Sequence, residues 1–374
     1  MRNDNQPKNL TREAKRTSKK KKIIIIIVSL LVLICLAAVA VVWGYTMINK
    51  KIDKIDYVET PQGNKEFGID AKVAADLKNY ENIAILGVDE TESKTDKFTG
   101  ARSDAIIIAS INKTTGDVLL TSVMRDTYME MQDQDGDYLM DKITHAHHYG
   151  GGLDTCRTLN RNLDLNITKF VVFNWESVAE LVDSMGGIEL DVKENEISDL
   201  NETGLYTAYA LDTEYTKVTQ PGLQTLNGVQ VAGYCRIRYN SGGDQGRTER
   251  ARATIAALFV KAKTLNLSQL SQVADESLPG IRVNMTNKEI FGFLLDINKY
   301  KLGANRLFPY EFYGGLVGET WYAVPVELAS NVSKLHLELF QQVDYIPTDT
   351  VMEINAKIIE KSGQRLPDPV SESN

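Results

Sequence analysis

Two apolar runs, AIIIASI (Ala105–Ile111) and VLLTSVM (Val118–Met124), are joined by the polar turn NKTTGD. Neither run alternates polar with apolar residues, so as strands both must be covered on their two faces. An open sheet with one wet face is thereby excluded, and helices are needed on either side. Further strands are expected at Ile83–Gly87, Phe170–Phe173, Ile188–Val192 and Tyr234–Ile237. Apolar residues near a 3.6 period predict helices at Leu153–Leu163, Glu176–Met185, Thr248–Leu265, Asn287–Ile297 and Val326–Gln342. The expected fold class is α/β, a single α-β-α sandwich around a central mixed sheet.

The turn centred on Lys113-Thr114-Thr115-Gly116 makes the two runs an antiparallel hairpin. With Ile111 opposite Val118, Asp104 falls opposite Arg125, and Ser103 opposite Asp126. If IAILGVD runs antiparallel beside the first run, its terminal Asp89 joins them. Asp89, Arg102, Asp104, Arg125 and Asp126 then gather at one sheet edge. Taken alone, this cluster is as well explained by surface ion pairs, worth about 0–1 kcal/mol each, as by a site.

A second constellation changes that balance. The segment CRIRYNSGGDQGRTERAR (Cys235–Arg252) carries Arg236, Arg238, Arg247, Arg250 and Arg252, with no lysine between Lys217 and Lys261. Arginine alone offers a planar, permanently charged fork for phosphate oxygens. As strand residues, Arg236 and Arg238 would point the same way. Arg247 and Arg250 lie one turn apart at a predicted helix start, where the dipole also favours an anion. Arg252 is assigned to the helix surface. Arginines with paired aspartates suit phosphoryl transfer, the carboxylates holding Mg²⁺, or Mn²⁺ in its place.

Ahead of this domain, residues 1–22 carry nine Lys or Arg against Asp4 and Glu13, and Ile23–Gly44 is apolar throughout. That run suffices for one membrane-spanning helix, which needs about 20 residues. A signal peptide cleaved after Ala38-Val39-Ala40 competes, but its apolar region would run only about 7–15 residues. The expected topology is a cytoplasmic basic tail (1–22), a single-pass transmembrane helix (23–44), a polar stalk (45–80), an extracellular catalytic domain (81–355) and a polar C-terminal tail (356–374). The formal charge of −8 leaves about −15 beyond the tail, so no nucleic-acid footprint is expected there. Cys156 and Cys235 are read as buried small hydrophobes rather than a bridge. Two weaker signals are set aside: HAHH (His145–His148) lacks further zinc-spaced ligands. DQDGDYLMD has its glycine out of EF-hand register.

The segments NIAILGVDE, ARSDAIIIASINKTTGDVLLTSVMRDTY, DKITHAHHYGG, VVFNWESVAELVDSMGGIELDV, LNGVQVAGYCRIRY and DQGRTERA, in that order, resemble the LytR-CpsA-Psr family of bacterial cell-envelope proteins. The resemblance implies a phosphotransferase that moves a glycopolymer, such as teichoic acid or capsular polysaccharide, from an undecaprenyl-pyrophosphate carrier onto peptidoglycan. It implies that Asp89 and Asp104 bind Mg²⁺ and that Arg102, Arg125, Arg236, Arg238, Arg247 and Arg250 hold the pyrophosphate. Lys142 and His145, in the matched DKITHA segment, would lie just behind them. It also implies an apolar polyprenyl tunnel, lined here from Val171 to Val182. Arg102, Arg125 and Asp126 are the expected catalytic residues, with Asp126 either the base in an in-line attack by a peptidoglycan hydroxyl or a group that orients Arg125. Ala101, Thr144 and Ala251 depart from the family's usual Gly, Asn and Gln. The alternatives are a pyrophosphatase using water as acceptor and a non-catalytic regulator of the cell envelope.

Overall fold

The computed structural model describes residues 56–88, 96–238, 243–277 and 280–364. The basic tail, the apolar run 23–44 and Asp89 lie outside these residues.

The hairpin forms as the apolar pattern requires. Strand β3 (Ser103–Asn112) pairs antiparallel with β4 (Asp117–Val123), with Ile111 opposite Val118. Strand β2 (Tyr80–Val88) runs antiparallel on the other side of β3. Strand β7 (Lys169–Phe173) lies parallel to β2, and β10 (Ile281–Val283) is antiparallel to β7. Short β1 (Asp56–Tyr57) closes one edge, while β11 (Lys301–Leu302) and β12 (Arg306–Phe308) close the other beside β4. The sheet is therefore mixed and central.

Its faces are covered as expected. Ile106 and Ile108 of β3 join a core with Leu86, Phe170 and helices α2 (Thr144–Leu163), α9 (Leu328–Phe340) and α10 (Asp349–Ser362). Ile107 and Ile111 face the opposite way, against Ala251 and Ile255 of α6 (Gly243–Thr264) and Ile290 and Phe293 of α8 (Asn287–Asp296). Full burial stabilises an Ile side chain by about 1.5–3 kcal/mol, so β3 is rigid from both sides. Helix α2 passes so near β7 that a Cβ on Gly152 would come within 2.6 Å of three ring carbons of Phe170.

A satellite core holds α3 (Trp175–Ser184), β8 (Ile188–Val192), α4 (Ile197–Ala210), β9 (Gly222–Leu226) and α5 (Gly228–Arg236). Helix α3 starts where Asn174 and Ser177 cap each other's backbone, and α5 where Asn227 and Gln230 do the same. This second capping box corrects the strand expected at Tyr234–Ile237. Those residues are instead the last turn of a capped helix and its exit, with Ile237 extended.

Two boundaries also move. The segment read as a stalk is folded into the domain from Asp56 onward: β1 pairs with β10, and helix α1 (Ala71–Asp76) with its flanks buries Phe67, Ile69, Val73 and Leu77. The segment read as a C-terminal tail from residue 356 continues α10 to Ser362 and buries Ile358. Both segments were too polar on average for the sparse apolar side chains, each spaced to reach the core, to stand out.

Candidate active site

Asp104 is the centre of the site, and a β-bulge puts it there. Gly87 pairs with Ala105 but Val88 pairs with Ser103, so Asp104 is the extra residue. Regular alternation would send Asp104 and Ala105 to opposite faces; here both line the same cavity. Asp104 Oδ1 accepts from Arg125 Nη1 at 2.6 Å. Oδ2 accepts from Arg238 Nη2 at 3.0 Å and Arg247 Nη1 at 3.4 Å, and Arg247 Nη2 donates to the Asp104 carbonyl at 3.3 Å. Three guanidinium groups thus meet one carboxylate. Arg247 is nearly buried, whereas Arg125 and Arg238 reach solvent, their side chains 27 % and 46 % exposed.

Beyond Arg125 the charges continue to alternate. Arg125 Nε donates to Asp126 Oδ2 at 3.3 Å, and Lys142 Nζ lies 2.8 Å from Asp126 Oδ1. Lys142 ends β6 (Tyr138–Lys142), which pairs with β5 (Tyr128–Gln132). The Asp126 carbonyl accepts from the Ala323 amide of β14 (Thr320–Pro325), which forms a hairpin with β13 (Phe312–Val317). Thr144 fastens the start of α2 to the site. Its amide donates to the Arg125 carbonyl at 3.0 Å and its hydroxyl to the Ser103 carbonyl at 2.9 Å.

His145 Nδ1 lies 2.7 Å from Asp141 Oδ2, and Asp141 Oδ1 accepts the Lys142 amide at 2.7 Å and the Tyr322 hydroxyl at 3.4 Å. Burial pushes the Asp141 carboxyl up, but the hydrogen bonds from His145 and the Lys142 amide together hold it below its ordinary value. Tyr149, one turn beyond His145, has its hydroxyl pushed up by burial and by the Asp141 charge, while Arg102 pulls it down. Arg102 itself is exposed immediately before β3.

Two of the expected pyrophosphate ligands are placed elsewhere. Arg236 and Arg238 do not point the same way: Arg236 closes α5, donates to Thr207 Oγ1 at 3.1 Å and sits over the Trp175 ring at 5.6 Å. Arg250 is one turn from Arg247 but buried in the satellite core, where it meets Glu196 Oε1 at 3.2 Å and the Ile237 carbonyl at 2.5 Å. There it steadies the extended residue just before Arg238, and none of its contacts among the described residues is with the Asp104 cluster. Arg252, expected on the surface, is buried and donates to the Arg306 carbonyl. Cys156 and Cys235 are free, buried thiols.

A cavity of about 330 Å³ opens between the sheet and helices α3 and α6, with Asp104 and Arg247 at its polar end. Ile107, Phe173, Val178, Ile255 and Leu258 form apolar walls. Within the expected Val171–Val182 lining, Phe173, Trp175, Val178 and Leu181 face the cavity, but Val171 packs in the sheet core and Val182 in the satellite core. Asp104 has the right chemistry for a hard cation. A carboxylate offers about four lone-pair sites, and the three guanidinium bonds leave room for one more ligand contact.

Fold and site together define an α/β/α domain with an arginine cluster at the mouth of an apolar cavity. Residues 44–307 match the LytR_cpsA_psr family, and the chain belongs to that family. Bacillus subtilis TagT, a polyisoprenyl-teichoic acid–peptidoglycan teichoic acid transferase, is 26% identical over 225 residues, 60% of this chain and 66% of that one. The chain thus spans just under two thirds of the length of the curated relatives TagT and TagU. A Streptococcus agalactiae crystal structure shares the fold with a TM-score of 0.62 at 22% identity, over 74% of this chain and 93% of its own. A structure of TagT with bound octaprenyl pyrophosphate lipid has a TM-score of 0.50 at 19% identity, over 82% of this chain and all of its own.

Proposed function

We propose that this chain is a membrane-anchored phosphotransferase that moves a cell-wall glycopolymer from an undecaprenyl-pyrophosphate carrier onto peptidoglycan. One observation carries the reading: three guanidinium groups converge on a single carboxylate at the polar mouth of an apolar cavity. A pyrophosphate attached to a long hydrocarbon chain has the complementary shape and charge. Its dianionic head would draw Arg125 and Arg238 from Asp104, and its chain would enter between β3, α3 and α6. The names of the curated relatives, and the lipid bound in the TagT structure, support this choice of donor.

Asp104 and Asp89 would hold Mg²⁺, or Mn²⁺ in its place, and such an ion when bound would neutralise charge on the phosphates. Arg125, Arg238 and Arg247 would bind and orient the same phosphates, and their charge would stabilise the negative charge that develops during transfer. The peptidoglycan hydroxyl would attack the sugar-proximal phosphorus in line, leaving a phosphodiester and the lipid phosphate. Arg102, exposed beside β3, stands where it can meet either substrate.

The test is transfer by the full chain in detergent, with Mg²⁺, a polyprenyl-pyrophosphate glycan and peptidoglycan. Polymer should become covalently attached to peptidoglycan, and Arg125→Ala should weaken donor binding at least tenfold. Unchanged donor affinity in Arg125→Ala, or no transfer with any lipid-pyrophosphate glycan, refutes the reading. Equal release of lipid phosphate with and without peptidoglycan identifies water as the acceptor instead.

A further inference from the structure

The transfer needs a group to take the proton of the attacking hydroxyl, and among the described residues the carboxylates of the arginine cluster are already engaged by cations. Asp126 is one of them. It is buried, Oδ1 already meets Lys142 Nζ at 2.8 Å and Oδ2 accepts from Arg125 Nε at 3.3 Å. Both of its oxygens are thus engaged, and it holds Arg125 and Lys142 in place.

The chain has four histidines, and among the described residues only His145 has a carboxylate on a ring nitrogen. His147 and His148 place Nδ1 on the carbonyls of Ala101 and Gly100, and His336 lies between Gln342 and the Leu163 carbonyl. Asp141 is itself fixed by the Lys142 amide and the Tyr322 hydroxyl. With Nδ1–H committed to Asp141, the lone pair of a neutral imidazole is on Nε2, which has no hydrogen-bond partner among the described residues. The side chains of His145 and Asp141 are 22 % and 17 % exposed, so the pair is sheltered but open to a substrate. It borders the arginine site through adjacent Thr144, whose amide and hydroxyl hold the carbonyls of Arg125 and Ser103.

We propose that His145, oriented by Asp141, is the general base of the transfer. This rests on the phosphotransferase reading above. Nε2 takes the acceptor hydroxyl proton as that oxygen bonds to the sugar-proximal phosphorus. The bond from this phosphorus to the bridging oxygen breaks, and its electron pair leaves on the lipid phosphate. Asp141 balances the imidazolium charge until the proton passes to the departing phosphate or to water. The charged and titratable groups around the pair are Lys142 beside Asp141, His148 and Tyr149 on α2, Tyr128 on β5, Tyr322 on β14 and Arg102 ahead of β3.

The experiment measures transfer rate against pH, together with donor affinity, for the full chain in detergent. Wild type should lose transfer rate as the solution is made more acidic, an acid limb required of a base that must be unprotonated. His145→Gln should be slower by about 10²–10⁴-fold, keep donor affinity within about twofold, and lack that acid limb. Asp141→Asn should also slow transfer and keep donor affinity within about twofold, because the ring loses the carboxylate that orients it. If the wild type transfers polymer and His145→Gln, folded by its thermal unfolding, does so at the same rate with the same limb, the base assignment falls alone. If the wild type transfers nothing, the phosphotransferase reading falls and takes the assignment with it.

Discussion

At the scale of single residues, Asp104 governs both stability and binding, and the two effects separate by burial. Asp104→Ala would remove the carboxylate that the buried Arg247 guanidinium meets at 3.4 Å, and losing one partner of a buried ion pair costs about 3–5 kcal/mol. A matching fall in the urea midpoint is expected. Arg238→Ala removes a half-exposed partner, so stability should change by less than about 1 kcal/mol while affinity for the lipid-pyrophosphate donor drops at least tenfold. The facing of Asp104 and Arg125 was legible because a tight turn with two apolar flanks sets its own register. The split of Arg236 from Arg238 was not, since it follows from the helix that Asn227 and Gln230 begin. That Asn-x-x-Gln spacing was a readable signal. So was the four-residue spacing of Asp141 and His145, which the more conspicuous HAHH run obscured.

At the scale of elements, α2 carries a pH dependence. Burial lowers the His147 pKa to about 4, against a smaller opposing effect of its hydrogen bond to the Ala101 carbonyl. Between that value and the ordinary 6.5 the unfolded chain binds a proton that the folded chain excludes. The stability associated with a neutral His147 is therefore complete above 6.5 and lost as pH falls toward 4, by up to about 3 kcal/mol. Chemical denaturation of wild type and His147→Asn across this range should show the variant with a flatter profile. The cavity between β3, α3 and α6 allows a second prediction. Ala251→Phe should fill it and weaken binding of a long-chain polyprenyl pyrophosphate at least tenfold, yet leave a short-chain water-soluble pyrophosphate unaffected. Competition binding with the two ligands checks this. The strands around the cavity were legible from their apolar runs; the bulge that turns Asp104 into it was not, because a one-residue excess leaves no mark on hydrophobic pattern.

At the scale of the whole molecule, the proposed function brings two features together at a membrane. The apolar run Ile23–Gly44 behind a basic tail suits one membrane crossing with lysines inside. The donor proposed here has its hydrocarbon in the same bilayer, so an anchored domain meets it at high local concentration. Deleting residues 1–44 should move the protein from the membrane fraction to the soluble fraction and slow transfer from membrane-embedded donor, with affinity for a detergent-solubilised short-chain donor retained. Fractionation and the two assays together check that expectation.

By itself the sequence determined the layered α/β architecture, the antiparallel hairpin and the charge types gathered at its end. These depend on side-chain periodicity and on turns a few residues long, which act locally. Only the tertiary structure decided which arginines meet Asp104, that Arg250 belongs to the satellite core, and that Asp126 is held between cations while the His145 ring meets Asp141 through Nδ1. Those outcomes turn on where separate elements come to rest, as much as 143 residues apart for Asp104 and Arg247, and a guanidinium on a long flexible side chain pairs with whichever carboxylate packing brings within about 3 Å.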